Sequence, residues 1–335
     1  MTRAFEYAVP TTAEQAVALL AARGAVPLGG GSDLLSLVKD GVVRPARLVG
    51  LDAVGGLDGV ERRADGLALG ALATLERLAA DATLAAAHPA LARALGRVAG
   101  PQIRAVGTLG GNLCQRPRCW YFRRGYGLLA LRGGRSMVLD GDDRYHAVLG
   151  NDGPAYFVHP STVAPLLVAL GARAEVLGPG GSRTVPVADL YSTPRRPEES
   201  ELTLGRQEIV VRVVVPAAGP GRRAASYEVR QRRTLDWSLA TASVALALDG
   251  GRVREARIVL GQVAPVPWRA RGAETELAGR EPTAEVVARA ARAAVAEAKA
   301  LRTNGYKIRL AETAVRRAIA RAAEVPASPG AGGGA

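Results

Sequence analysis

Three consecutive glycines constrain most strongly how this chain folds. They stand in the stretch VPLGGGSD, Val26 to Asp33, between an apolar run and a helical pattern. A flexible glycine linker lacks ordered neighbours on both sides. Glycine also lets the backbone approach another group closely and lets successive N–H groups turn toward one point. The stretch therefore predicts either a tight turn or a loop that binds an anion such as a pyrophosphate, with Ser32 and a helix start adding donors.

The glycines do not form the dinucleotide-binding fingerprint of a Rossmann fold. Gly29 and Gly31 fit the first two positions of G-x-G-x-x-G, but Leu34 occupies the third, where packing needs a small residue. A second loop, VGTLGGN from Val106 to Asn112, again places a hydroxyl beside glycines. Two such loops, about 80 residues apart, suit one extended and doubly charged ligand, and a dinucleotide fits that description.

The charge of the chain raises the question of a nucleic-acid partner, because its formal net charge is +13. The basic residues are almost all arginine and are spread along the chain, and the 4% of aromatic residues offer few platforms for stacking bases. We therefore expect no nucleic-acid partner. No run reaches the roughly 20 apolar residues of a membrane helix, and the N-terminus lacks the order of a secretory signal. We expect a cytoplasmic protein with no membrane contact, and export on a partner's signal stays open.

Hydrophobic periodicity predicts an α+β fold. The prediction rests on a strand around Phe5 and Tyr7, a helix over 14–22 capped by Thr11 or Thr12, a strand before the glycines, a short helix after Ser32 or Asp33, a helical stretch from Thr74 to about Val98, an irregular loop over 123–151, a helix capped by Ser161 or Thr162, a strand over 208–216, a hairpin turning at Asp249-Gly250-Gly251, and helices over 283–301 and 307–323. The last helix has one apolar face that we expect to dock on the hairpin sheet, formed by Ile308, Ala311, Val315 and Ile319.

The order of the motifs resembles that of one known family. PLGGGSDLLSLVKDG is followed by AGPQIRAVGTLGGNLCQRPRCWYFRRG, then by RYHAV and VHPST, and later by EVRQRRTLDWSLATASVALAL and LGQVAPVPWRA. Together these motifs resemble the FAD-binding medium subunit of the molybdenum hydroxylases, the family of xanthine dehydrogenase, carbon monoxide dehydrogenase and aldehyde oxidoreductase. The strongest resemblance is to the flavin subunit of bacterial periplasmic-type aldehyde oxidoreductases.

This resemblance implies a fold and a cofactor. Residues 1–218 would form the two-subdomain FAD-binding fold of the vanillyl-alcohol oxidase (PCMH) type, with subdomains of about 1–58 and 59–218. Residues 219–325 would form an α+β domain of the CO dehydrogenase flavoprotein C-terminal type, and 326–335 a disordered tail. The implied cofactor is noncovalent FAD. The implied cofactor-binding residues are Val26, Pro27, Leu28, Gly29, Gly30, Gly31, Ser32, Asp33, Thr108, Gly110, Gly111, Asn112, Thr162 and Glu228.

Two of these positions depart from the family pattern. Where relatives often have an aspartate that helps to hold the sugar-like chain of the flavin, this chain has Thr162. Near Glu228, relatives often have a lysine whose positive charge favours the reduced, anionic flavin. Loss of both groups is expected to weaken FAD binding or to change its potential.

The cysteines give a further departure. In the aldehyde oxidoreductase branch, a loop after RC-x-YF holds a [4Fe–4S] cluster through four cysteines. Here Cys119 matches the first, while Leu129, Ser136 and Ala155 stand near the expected positions of the others, and Cys114 is the only other cysteine. Because such a cluster normally needs four thiolates, we predict that the cluster is absent while its loop persists.

The resemblance also implies a function in electron transfer. In the family, substrate is oxidised at molybdenum on a large subunit that binds molybdopterin. Electrons then pass through [2Fe–2S] clusters of a small subunit to FAD and on to an acceptor such as NAD or oxygen. The cofactor carries this chemistry, so no catalytic side chain is expected. No metal site is expected either, because the spacing of His88, His146 and His159 is not that of metal ligands. Two alternatives stay open: a flavin-deficient scaffold subunit of such a complex, and a stand-alone flavin reductase of the same fold.

Overall fold

The computed structural model describes residues 4–232 and 236–325. The predicted tail over 326–335 lies outside the described residues. The strands are β1 (Glu6–Ala8), β2 (Ala25–Leu28), β3 (Arg47–Gly50), β4 (Val60–Arg63), β5 (Gly66–Gly70), β6 (Leu131–Arg132), β7 (Arg135–Ser136), β8 (Arg173–Gly178), β9 (Gly181–Pro186), β10 (Ile209–Pro216), β11 (Arg222–Arg230), β12 (Ser238–Asp249), β13 (Arg252–Gly261) and β14 (Trp268–Arg269). The α-helices are α1 (Ala13–Leu19), α2 (Leu34–Lys39), α3 (Leu75–Ala80), α4 (Ala82–Ala87), α5 (Pro89–Leu95), α6 (Pro101–Val106), α7 (Leu109–Leu113), α8 (Trp120–Arg123), α9 (Met137–Asp140), α10 (Ala164–Leu170), α11 (Arg271–Leu277), α12 (Ala284–Ala293) and α13 (Tyr306–Ala323).

The described residues divide into two compact units. Of the described residues, those up to Ala130 and Gly171–Ala217 form the N-terminal unit, and Leu131–Leu170 with those from Ala218 onward form the C-terminal unit. Segment 131–170 belongs to the C-terminal unit because its buried Val148 is part of that unit's hydrophobic core. The predicted domain boundaries at 58/59 and 218/219 stay predictions.

The N-terminal unit is built on two sheets. One is a parallel three-stranded sheet in the order β1-β3-β2. Helix α1, whose first turn is capped by the Thr12 hydroxyl as predicted, contributes Ala16 and Val17 to the core beside this sheet, and Leu20 follows directly after the helix. The other sheet is antiparallel in the order β4-β5-β10-β8-β9. Its central strand β10 is the predicted apolar strand, and valines from both of its faces are buried.

The C-terminal unit has a four-stranded antiparallel sheet in the order β11-β12-β13-β14. The predicted hairpin is confirmed: β12 and β13 are joined by Gly250 and Gly251, both with positive φ. Helix α13 packs on this sheet through the predicted face, where Ala311, Val315 and Ile319 are fully buried. The two units combine one small parallel sheet, two antiparallel sheets and helices, which confirms the α+β prediction.

Three predicted elements differ from the structure. The helical stretch 74–98 is three short helices, because the Asp81 carboxylate caps a new helix at Leu84 N (2.7 Å) and Pro89 opens the next. The helix predicted over 283–301 ends at Ala293. The loop 123–151, predicted to be irregular, contains the hairpin β6–β7 and the turn α9. Across the described chain, no helix has the length and apolar character needed to cross a membrane.

Candidate functional site

The two glycine loops meet in the N-terminal unit. A Cβ on Gly30 would lie 1.7 Å from the carbonyl oxygen of Val106 and 3.2 Å from the Cα of Gly107. A Cβ on Gly29 would lie 3.0 Å from the Thr108 hydroxyl oxygen. Only glycine fits where one backbone passes this close to another. The structure therefore brings together the two loops that the sequence singled out.

The first loop leads from strand to helix. Val26, Pro27 and Leu28 form the half-buried strand β2, which lies at an edge of the parallel sheet. Gly31 then takes a φ of +73°, which reverses the chain into α2 and which side chains on an L-residue disfavour. Strand β2 therefore fixes the start of the loop, and the Val106 carbonyl leaves no room for a side chain at Gly30.

The second loop is fixed by its own hydrogen bonds. The backbone N–H groups of Leu109 and Gly110 donate to the carbonyls of Ala73 and Ala71. Those of Gly111 and Asn112 donate to the hydroxyl and the carbonyl of the buried Thr108, at 3.1 and 2.8 Å. The backbone N–H groups of residues 109–112 are thus already bonded, and this part of the second loop forms a rigid wall beside the Thr108 hydroxyl.

Asp33 occupies the predicted N-cap position of α2, but within the described chain its carboxylate caps no first-turn N–H group of that helix. The side chain, 14% exposed, accepts from the backbone N–H of Arg116 at 2.8 Å and from the guanidinium of Arg123 at 2.7 Å, and it pairs with Arg118. Burial acts to raise the pKa of Asp33, but Arg118, the Arg116 N–H and Arg123 outweigh burial and lower it. The carboxylate is thus an anion held by arginines.

These arginines belong to residues 114–124, which we call the arginine segment. Arg116 makes a two-pronged ion pair with the buried Glu201, one prong being 3.0 Å from Nη2 to Oε2. The guanidinium of Arg116 also lies 5.3 Å from the ring centre of the buried Phe122. The sequence reading, which took the arginines as spread along the chain, missed this cluster. The signal was present in QRPRCWYFRR, but its partners Asp33 and Glu201 are more than 80 residues away.

Both cysteines are partly buried thiols, with Cys114 at the start of this segment and Cys119 at its centre. Burial raises the pKa of Cys114 to about 12, with the charge of Glu201 adding to the effect, and burial also raises the pKa of Cys119. At the expected cluster positions, Leu129 and Ala155 are buried apolar side chains, while the Ser136 hydroxyl accepts from Val138 N. Within residues 4–232 and 236–325, no group of three or more His, Cys, Asp or Glu side chains is arranged to hold a metal ion.

The remaining two predicted site residues lie in the C-terminal unit. Thr162 is half-buried between Ser161, whose hydroxyl caps α10, and the first residues of that helix. Glu228, on β11, pairs with Arg230 at 2.6 Å and accepts from the Ser238 hydroxyl at 2.6 Å. The negative charge at Glu228 is therefore balanced by an arginine two residues along the same strand.

All three histidines are buried, as a structural role requires. Burial lowers the pKa of His88, that of His159 to about 3, and that of His146 to about 4, where the charge of Lys307 adds to the effect. Lys307 is itself fully buried and donates to the carbonyls of Tyr145, His146 and Gln262. These groups tie segment 131–170 to α13 inside the C-terminal unit.

The residues of the N-terminal unit fit a pyrophosphate. Ser32 and Thr108 supply hydroxyls, the backbone of Gly29–Gly31 carries no side chains, and Asp33 links the positively charged arginine segment to the end of that loop. These groups are of the kind that bind the phosphates of a dinucleotide.

Comparison with known proteins identifies the class. The family described as FAD binding domain in molybdopterin dehydrogenase matches residues 3–218, and the CO dehydrogenase flavoprotein C-terminal domain matches 225–322. The chain is thus a flavoprotein with an FAD-binding domain and a second domain of the CO dehydrogenase type. It belongs to the family of FAD-binding subunits of the molybdenum hydroxylases, which are oxidoreductase subunits, and the resemblance seen in the sequence is confirmed.

Similar proteins cover nearly all of the chain. It is 33% identical to the aldehyde oxidoreductase FAD-binding subunit PaoB of Escherichia coli K12, over 82% of this chain and 86% of that protein. It is 31% identical to the carbon monoxide dehydrogenase medium chain of Hydrogenophaga pseudoflava, over 94% and 96%. A solved carbon monoxide dehydrogenase from the same organism, which lacks the Mo-pyranopterin moiety, contains a chain with a TM-score of 0.75 and 29% identity, over 97% of this chain and 98% of that one.

Proposed function

We propose that this chain is the electron-transfer subunit of a molybdenum-cofactor hydroxylase of the xanthine dehydrogenase or aldehyde oxidoreductase type. Its partners would be a large subunit that binds molybdopterin and a small subunit with [2Fe–2S] clusters. The bound FAD would supply the redox chemistry between those clusters and an external acceptor such as NAD or oxygen. The protein itself would bind and orient the cofactor.

The observation that carries this proposal is the contact between Gly30 and Val106, which joins two loops that are far apart in the sequence. A tight turn alone would not require a second glycine loop at the same place. The names of the similar proteins support the partners, because the medium chain and the FAD-binding subunit are parts of larger enzymes.

The residues proposed to bind FAD fall into two sets. Gly29 to Ser32 would bind the pyrophosphate through backbone N–H groups and the Ser32 hydroxyl, while Thr108 would add its hydroxyl. Gly110, Gly111 and Asn112 would shape the second loop. For the remaining predicted residues, Val26 to Leu28 would orient the loop, and Thr162 and Glu228 stay predictions with no contact assigned.

The test is the cofactor content of the purified full-length chain. We expect flavin absorption bands, release of about one FAD per chain on denaturation, and neither iron nor acid-labile sulfide. Iron with sulfide would contradict the predicted loss of the [4Fe–4S] cluster. A colourless chain that takes up no added FAD would instead support the scaffold alternative.

A second measurement tests the partners and the location. Affinity purification of the tagged chain from its host is expected to recover a molybdopterin protein and a [2Fe–2S] protein in equal amounts. We also propose a cytoplasmic location, which cell fractionation would check. Recovery of the chain alone, loaded with FAD, would favour the stand-alone flavin reductase.

A further inference from the structure

A buried carboxylate lies directly beside a loop that is proposed to bind an anion. Asp33 follows Gly29–Ser32 without a gap, and its side chain is only 14% exposed. A carboxylate donates no hydrogen bond to a phosphate and repels it through space. Its presence at this position therefore needs another explanation than direct contact with the cofactor.

The explanation lies in what the carboxylate binds. One oxygen accepts from the guanidinium of Arg123 at 2.7 Å and pairs with Arg118, and the other accepts from the backbone N–H of Arg116 at 2.8 Å. All three partners come from the arginine segment. Asp33, the first residue after the glycine loop, is thus bound to a stretch of chain that lies more than 80 residues further on.

We propose that Asp33 is a positioning residue for FAD: it gathers Arg118 and Arg123 and so holds the arginine segment beside the glycine loop. The arginines, and not the carboxylate, then set the sign of the charge at the pyrophosphate. This inference rests on the proposed function, because it takes the glycine loop to be the FAD site.

The charges and contacts of the segment support this role. Three of its arginines, Arg116, Arg118 and Arg123, pair with only two carboxylates, Asp33 and Glu201, so one positive charge in excess is held in place. Glu201 holds Arg116 at the other side of the segment, and Phe122 packs under the guanidiniums of Arg116 and Arg123. Because the segment is held at several points, it loses little conformational entropy when FAD binds. This favours a high affinity for FAD.

The sign of one mutational effect separates this proposal from simple repulsion. If Asp33 only repelled the cofactor, Asp33→Asn would tighten FAD binding. If Asp33 positions the arginines, Asp33→Asn weakens it, and we expect at least a tenfold rise in the dissociation constant of FAD. The measurement is quenching of flavin fluorescence on titration of the full-length apoprotein.

Two further variants complete the test. Glu175→Gln removes the charge of another carboxylate of the N-terminal unit, which pairs with Arg63 at 2.6 Å on the five-stranded sheet, and we expect it to change FAD affinity less than twofold. Arg118→Gln is expected to weaken binding as Asp33→Asn does. The double variant is expected to bind FAD no more weakly than the weaker of the two single variants, because both substitutions remove the same interaction between Asp33 and Arg118.

The outcomes are distinguishable. Unchanged or tighter FAD binding by Asp33→Asn overturns the inference while leaving the proposed function intact. Equal losses in Asp33→Asn and Glu175→Gln, or losses that add fully in the double variant, also overturn it. Failure of the unmutated chain to bind FAD would instead overturn the proposed function.

Discussion

The backbone of Gly30 lies so close to the carbonyl oxygen of Val106 that a Cβ on Gly30 would stand 1.7 Å from it. The contact is between two main-chain segments, so a side-chain rotation cannot relieve the clash that a larger residue at position 30 would cause. The position of one loop of the proposed FAD site therefore depends on the other.

Gly30→Ala tests this dependence. We expect the methyl group to push the two loops apart and to raise the dissociation constant of FAD at least a hundredfold, measured by flavin fluorescence on the apoprotein. Gly55→Ala is the matched control, because a Cβ on Gly55 meets no atom within 4 Å. Equal affinity in Gly30→Ala and the unmutated chain would show that the contact does not shape the site.

The second prediction concerns the buried ion pair of the arginine segment. Glu201→Gln should lower the free energy of unfolding by about 2 kcal/mol, because Glu201 is buried and the change removes the charge that its two-pronged ion pair offers to the partly exposed Arg116. Urea unfolding followed by circular dichroism is the measurement. Glu198→Gln should cost less than roughly 0.5 kcal/mol, because Glu198 pairs with Arg196 in an exposed position. Similar losses of unfolding free energy in the two variants would show that the ion pair of Glu201 stabilises the chain no more than an exposed pair does.

Acid should destabilise the C-terminal unit through its buried histidines. The pKa of His159 is about 3 and that of His146 about 4 in the folded chain, against an ordinary value of 6.5. Below pH 6.5 the unfolded chain therefore binds protons that the folded chain cannot, and the free energy of unfolding falls as the pH falls from about 6.5 toward 4.

His159→Gln isolates one of these protons. Its unfolding free energy should fall less steeply with acid, by up to roughly 1.4 kcal/mol per pH unit. Urea unfolding at pH 7, 6 and 5 measures the slope, and the carboxylates contribute equally to both proteins. Parallel curves for the variant and the unmutated chain would contradict the burial of a neutral His159.

The thiols should be slow to react in the native chain. Because burial raises the pKa of Cys114 to about 12 and also raises that of Cys119, little thiolate exists at pH 8. We expect Ellman's reagent to react at least tenfold more slowly with the native chain than with free glutathione. In guanidinium without reductant both thiols should react at once. Recovery of fewer than two thiols there would indicate a disulfide.

Local signals explain what the sequence predicted well. The Thr12 cap, the hairpin at Gly250-Gly251 and the apolar face of α13 each depend on neighbours within a few turns. The role of Asp33 does not, because its partners lie 83 to 90 residues away in the chain. In the sequence, an aspartate before a helix is typical of an N-cap residue. Only the fold shows that arginines bind this carboxylate in place of the first N–H groups of the helix. The long helix predicted over 74–98 failed for a related reason, since Asp81 and Pro89 were read as helical residues rather than as starts of new helices.

The path of the chain between its two units has a consequence for inheritance. The chain leaves the N-terminal unit after Ala130, returns at Gly171 and leaves again after Ala217. Between the first two points it delivers α10, which packs on β12 and β13. A single recombination near residue 218 would therefore join the sheet of one ancestor to the covering helix of another. In flavoproteins with this chain path, the two units are therefore expected to be inherited together and not to be recombined separately.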